Sequence, residues 1–169
     1  MAARTSLRDY QRELAARLQA AGSTQVASRL GLQAGGQRWL VDLRDAGEVI
    51  PVPAVTPVPL TRPWFKGVAS IRGNLVSVVD FGAFLGLGAT APGEEARLLL
   101  LNERFRMGCA LLVERSLGLR SDEQLRARAR ADVRAPWLRA ECDDAQGEHW
   151  RELDVSQLVQ DLEFLNVAA

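Results

Sequence analysis

A chain of 169 residues with 47% hydrophobic and 25% charged side chains has globular proportions. It is long enough to bury about two-thirds of its unfolded surface, which excludes wholesale disorder, a collagen repeat and a disulfide-held miniature. Its 21 basic and 21 acidic side chains cancel, so no global charge draws it to nucleic acid or to an anionic membrane.

The first expected element is a helix over residues 6–18, where Leu7, Tyr10, Leu14 and Leu18 recur at helical spacing and Ser6 with Asp9 suits a capping pair. Such a helix either covers an open end of its own domain or docks on a partner. Arg8, Asp9, Arg12, Glu13 and Arg17 break the apolar run a signal peptide needs. No stretch approaches the roughly 18 apolar residues of a membrane span. The expectation is a cytoplasmic protein with no direct membrane insertion and a helical extension over residues 1–24.

From residue 25 the pattern turns to short strands. "VASRLGLQ" and "QRWLVDL" flank Gly35-Gly36, and "RLLLL" and "FRMGCALLV" flank Asn102-Glu103-Arg104. Both read as hairpins. "WLVDLRDAGEVI" reads as one long strand with Glu48 near its end. "EVIPVPAVTPVPLTRPWF" carries five prolines that fix an extended, stiff path. "IRGNL" reads as a hairpin turn in which Gly73 and Asn74 tolerate left-handed backbone.

The two hairpins belong to a longer repeat. Pro63-Trp64 is followed by Asp80 seventeen residues on, Pro136-Trp137 by Asp154 eighteen residues on, and the two aspartates stand 74 residues apart. Two β units follow, at about 25–88 and 97–165, joined by a turn-rich linker at 89–96. Each is too small to bury a good core alone, so they are expected to pack on one another. Gly82, Gly86 and Gly88 are expected to end a short helical turn. "SDEQLRARARADVRA" begins with residues that suit a helix start and continues in Ala and Arg, which are good helix formers. Residues 115–139 hold seven arginines against three acids, read either as a solvated surface or as a nucleic-acid patch. That second reading, a nucleic-acid-binding β-barrel, is the alternative function.

Chemistry is scarce. The single histidine, His149, sits in "GEHWREL", Cys109 lies in apolar "MGCALLV", and Asp143-Asp144 reads as a solvated turn. Cys109 and Cys142 read as buried free thiols. Zinc-ligand spacing, a phosphate loop and a dinucleotide fingerprint are all missing. Elimination leaves a binding module that works through surfaces, without cofactor. Arg72 then reads either as a solvated turn residue or as the partner of Glu48, whose neighbours Ala46, Val49 and Ile50 suit an unpaired carboxylate poorly; an arginine fork could satisfy it bidentately.

"VTPVPLTRPWFKGVASIRGNLVSVVDFGAFLGL" resembles the hallmark segment of the CheW-like domain, with Val-Pro before an aromatic and Lys-Gly, an Arg-Gly turn, and an apolar strand ending in Asp. "WLVD", "AGEV" and "RMGCALLVERSLGL" resemble further positions of that family. The likeness covers residues 25–165 and is specific over 56–87. It implies an all-β fold with short helices, made of two intertwined five-stranded SH3-like β-barrels sharing a core. It implies no catalysis and no cofactor, and a role in coupling a methyl-accepting chemoreceptor's cytoplasmic tip to a CheA-type histidine kinase at membrane receptor arrays. Within the family the chain looks most like the twitching-motility member of type IV pilus systems. The matching glutamate and arginine tend to pair, which carries over to Glu48 and Arg72, with Ala46, Ile50, Gly73 and Asn74 as neighbours in partner docking. Ser77 departs from the family, which commonly has proline there, and residues 142–149 find no match.

Overall fold

The computed structural model describes residues 28–128 and 135–169; the helix expected over residues 6–18 lies outside them. Among the described residues, eleven strands form two sheets. The first sheet has the order β8-β1-β2-β11-β10-β9 and the second β3-β6-β7-β5-β4. In chain order the strands are β1 (Ser28–Ala34), β2 (Gln37–Asp42), β3 (Ala46–Pro51), β4 (Phe65–Ile71), β5 (Asn74–Asp80), β6 (Arg97–Leu101), β7 (Cys109–Val113), β8 (Arg115–Ser121), β9 (Leu125–Arg128), β10 (Leu138–Asp144) and β11 (His149–Leu153). Among the described residues, three one-turn helices accompany them: α1 (Phe81–Phe84), α2 (Val155–Leu158) and α3 (Leu162–Leu165).

The expected hairpins form. Gly35 (φ 57°) and Gly36 (φ 68°) close β1 onto β2. Arg72 (φ 50°) and Gly73 (φ 81°) close β4 onto β5. Left-handed backbone at both central residues matches the twist of the flanking strands. Asn74 is therefore not a turn residue: the turn uses Arg72 and Gly73, and Asn74 pairs with Ile71 at the start of β5. "WLVDLRDAGEVI" is not one strand either. Asp42 reverses the chain, its side chain accepting from Arg44 N (2.9 Å) and its carbonyl from Asp45 N (2.9 Å), so Glu48 lies within β3.

The halves exchange strands. β7, from the second half, runs parallel to β5 of the first, and β11 runs parallel to β2. Every residue of β7 is buried, because Cys109, Leu111 and Val113 face the core between the sheets while Ala110 and Leu112 fill the interior of the second sheet. Leu40, Cys142 and Trp150 fill the interior of the first sheet. The repeated Pro-Trp elements meet in the shared core: Trp64 packs edge-on to Phe84 at 5.4 Å, and Trp137 lies 6.0 Å from the same ring. Each tryptophan carbonyl accepts the amide of its own aspartate, Asp80 N to Trp64 O (2.8 Å) and Asp154 N to Trp137 O (2.7 Å). Each aspartate then caps a helix, α1 and α2 respectively. The repeat is thus a repeated cap; Gly86 (φ 72°) stands just beyond the first helical turn, as expected, whereas Gly82 lies inside α1 rather than at its end.

The second sheet curls shut where Thr56, on the proline-rich strap, bridges Val68 through two backbone hydrogen bonds (2.8 and 2.9 Å). Ser77 N donates to Gly108 O (2.8 Å), a bond that proline at this position could not make. The first sheet has six strands rather than five. β8 and β9 form one ribbon broken by a 3-10 turn at Asp122–Gln124, where Arg29 Nε holds Asp122 (2.6 Å). The helix expected after Ser121 is accordingly absent over Leu125–Arg128. Alanine and arginine propensity yields there to the ladder with β10 and to Leu125 packing on the interior cluster.

Candidate functional site

β3 carries a bulge between Ala46 and Glu48, where it pairs with β6. The extra residue re-aims the strand. Ala46 and Val49 pack on the shared core, whereas Ile50 turns into the second sheet's interior. Glu48 reaches the open end of that barrel and meets Arg72, which the β4-β5 turn projects from the other side. Arg72 Nη2 donates to Glu48 Oε1 at 2.7 Å. The contact is a single hydrogen bond rather than a bidentate fork, between side chains 75% and 40% exposed. An ion pair so placed contributes little to stability. β3 and β4 are the two edges of the sheet, so the pair links across one end of the seam that Thr56 and Val68 close at the other.

Beside the pair lies an open depression of about 670 Å³. Its walls are Glu48, Arg72, Asn74 and Ile71 on one side, and the turn between β6 and β7, with Asn102, Glu103 and Arg106, on the other. Leu75, 74% exposed, supplies apolar surface at its rim. Of the expected docking residues, Glu48, Arg72 and Asn74 line this groove. Gly73 stands exposed at the turn tip, and Ala46 and Ile50 are turned inward. Leu75, Glu103 and Arg106 escaped sequence reasoning, because polar residues at a turn and one leucine opening a strand carry no distinctive pattern.

A second ionic cluster belongs to the other barrel. Arg29 bridges Asp122 and Glu152, and Arg139 joins Glu152 (3.2 Å) to Asp154 (2.9 Å). Burial works against the charge of Arg29, but its hydrogen bonds to Asp122 and Glu152 outweigh that and raise its pKa. His149 is half-buried between Asp143 (3.3 Å) and Glu141 (3.4 Å). Asp144 accepts from Gln146 N, Glu148 N and Trp150 Nε1. Its neighbour Asp143 pairs with Arg128. Both cysteines are buried and free. Of the described arginines in residues 115–139, four have partners within the chain at its surface, Arg115 with Gln33, Arg120 over the Trp150 ring at 5.2 Å, Arg128 with Asp143 and Arg139 as above, while Arg126 is exposed. Arg130 and Arg134 fall outside the described residues.

The CheW-like domain model matches residues 29–163. The chain belongs to the CheW-like domain family. Over 92 residues it is 33% identical to Protein PilI of Pseudomonas aeruginosa, a match that spans 54% of this chain and 51% of PilI. The match thus takes in about half the length of that relative. The fold is similar to that of the scaffolding protein TtCheW from Thermoanaerobacter tengcongensis, with a TM-score of 0.64 at 14% identity over 76% of this chain and 89% of the other. Mostly β, with two mixed sheets and strands exchanged between halves, the architecture is the CheW-like one. TtCheW is described as a scaffolding protein. Among the described residues, no helix is long and apolar enough to cross a membrane.

Proposed function

We propose that this CheW-like chain is a cytoplasmic adaptor that couples the cytoplasmic tip of a methyl-accepting chemoreceptor to a CheA-type histidine kinase at receptor arrays. Its system is type IV pilus signalling of the twitching-motility kind, a reading supported by the likeness to PilI. The observation that carries the reading is the Arg72-Glu48 pair at the rim of an open groove, beside exposed Leu75. The pair is solvent-exposed, so the fold does not depend on it, yet it fixes two side chains at a surface large enough for a docked segment. A rim ion pair that contributes little to folding can still set partner choice and association rate.

The test is Arg72→Glu. The variant is expected to keep its thermal midpoint within a few degrees while losing about tenfold or more in affinity for kinase or receptor, since it sets two carboxylates against each other at the contact. A folded Arg72→Glu protein that captures both partners as well as the parent does would overturn the site.

A further inference from the structure

Two hairpin tips meet at the groove, and each carries an arginine in left-handed backbone. Arg72 (φ 50°), Arg106 (φ 52°) and Leu60 (φ 60°) are the non-glycine residues of positive φ among the described residues. Side chains adopt that region at a cost, and persistent strain of this kind clusters at functional positions. The two arginines differ in what their heads do. Arg72 is held by Glu48. Arg106 is exposed, and its guanidinium makes no hydrogen bond, ion pair or ring contact among the described residues, whereas Arg104, two residues before it on the same turn, is engaged.

The backbone beneath Arg106 is pinned. Its amide donates to Glu103 O (2.9 Å), and Phe105 N donates to Asn102 O (3.0 Å). The Asn102 side chain accepts from Arg104 N (3.0 Å). Arg104 in turn latches onto Asp45, a carboxylate only 3% exposed, and lies over the Phe105 ring at 4.8 Å. Asn102 N donates to Asp45 O (2.9 Å), which ties the turn to the corner before β3. The turn is therefore fixed and the arginine head is left over. Glycine would take this conformation without strain, so neither the turn nor any contact among the described residues accounts for arginine here.

We propose that Arg106 selects the partner at this groove by taking a carboxylate from a protein segment that lays apolar side chains on Leu75 and Ile71. The proposal rests on the groove being the docking surface. Charge complementarity identifies the occupant. Arg72 and Glu48 neutralise one another, and the charges of the opposite wall left without a side-chain partner among the described residues are Arg106 and Glu103, both exposed. A fitting segment carries an acid where it passes Arg106 and none where it passes Glu103, which fixes its direction along the groove. Asp45 and Arg104 are positioning residues.

The test is titration calorimetry of the full chain with the purified CheA-type kinase of the same organism, at low and high salt. Arg106→Glu is expected to bind about tenfold more weakly, and Arg106→Lys to retain most of the affinity. Arg106→Gly separates function from folding: it should melt higher than the parent, because the strain is relieved, yet bind more weakly and with less salt dependence. If the Arg106 variants bind like the parent while Arg72→Glu does not, the role of Arg106 is overturned and the groove stands. Parental affinity in Arg72→Glu as well, or no kinase binding by the parent, overturns both.

Discussion

Gly67 shows how much one position can determine. Its φ is 124°, and a Cβ built there would lie 2.0 Å from the carbonyl oxygen of Thr56. That carbonyl is the acceptor that closes the barrel onto the strap, so it cannot move aside without opening the seam. Gly67→Ala should cost at least about 2 kcal/mol, combining strain with a backbone clash. Gly73, at φ 81° with nothing within 4 Å of a built Cβ, is the control, and its alanine variant should cost only about 1 kcal/mol. Urea midpoints of the two variants check this, and equal losses would mean the Thr56 contact does not constrain the site. The thiols make a second case. Burial raises Cys109 from 9.0 to about 12 and Cys142 from 9.0 to about 11. At pH 8 the Cys109 thiolate is then about a thousandfold scarcer than in an ordinary thiol, and native protein should resist alkylation that denatured protein undergoes at once. The folded state holds these protons more tightly, so their contribution to stability is complete below pH 9 and is lost as pH rises towards 12. Rapid stoichiometric labelling of the native chain would contradict the burial.

At the scale of elements, the two capping aspartates do similar work in unlike surroundings. Asp80 is fully buried and accepts from Ala83 N (3.2 Å), Thr90 N (2.8 Å) and Thr90 Oγ1 (2.8 Å), with Lys66 Nζ at 3.6 Å. Asp154 accepts from Gln157 N (3.1 Å) and pairs with Arg139, itself 43% exposed. Asp80→Ala strands part-buried donors and the nearby Lys66, at a cost of about 3 kcal/mol. Asp154→Ala loses a cap and a screened pair, nearer 1 kcal/mol. Equal losses in chemical denaturation would show that burial does not separate them. The equivalence of these aspartates was legible from Pro-Trp spacing alone, since each lies a fixed path from its tryptophan. The hairpin at Gly35-Gly36 was legible as well, because positive φ leaves a glycine signature, and Gly73 marked the second one, though its left-handed partner is Arg72 and not Asn74. The break at Asp42 was not, as its hydrogen bonds interrupt a run that still reads as strand. Leu125–Arg128 was misread because its pairing partner lies in β10, beyond the reach of local propensity. Arg106 was invisible for a related reason: arginine holds a conformation that glycine or asparagine would have announced.

On the scale of the whole molecule, the chain cannot be cut between its halves without cutting both sheets. β1 and β2 precede the linker, yet they lie between β8 and β11, which follow it; β6 and β7 follow it, yet they lie between β3 and β5. The shared core draws Trp39, Trp64 and Phe81 from one side and Leu111, Leu138 and Phe164 from the other. A fragment ending at residue 88 would expose the β2 edge and strand β3 and β5 without the strands between them, and one beginning at residue 97 would leave β7 without β5. Bare edges and a halved core are a poor basis for a stable unit. The intact chain is therefore expected to unfold in a single transition with equal calorimetric and van't Hoff enthalpies. Residues 28–88 and 97–169, made separately, should each give the circular dichroism of an unfolded chain, and an equimolar mixture should regain β signal because every cross-half ladder can re-form. A cooperative melt from either fragment alone would show that one barrel is self-sufficient and that strand exchange adds only contacts between finished domains. Joint folding would make the groove between the β4-β5 and β6-β7 turns a property of the complete chain, since one wall comes from each half.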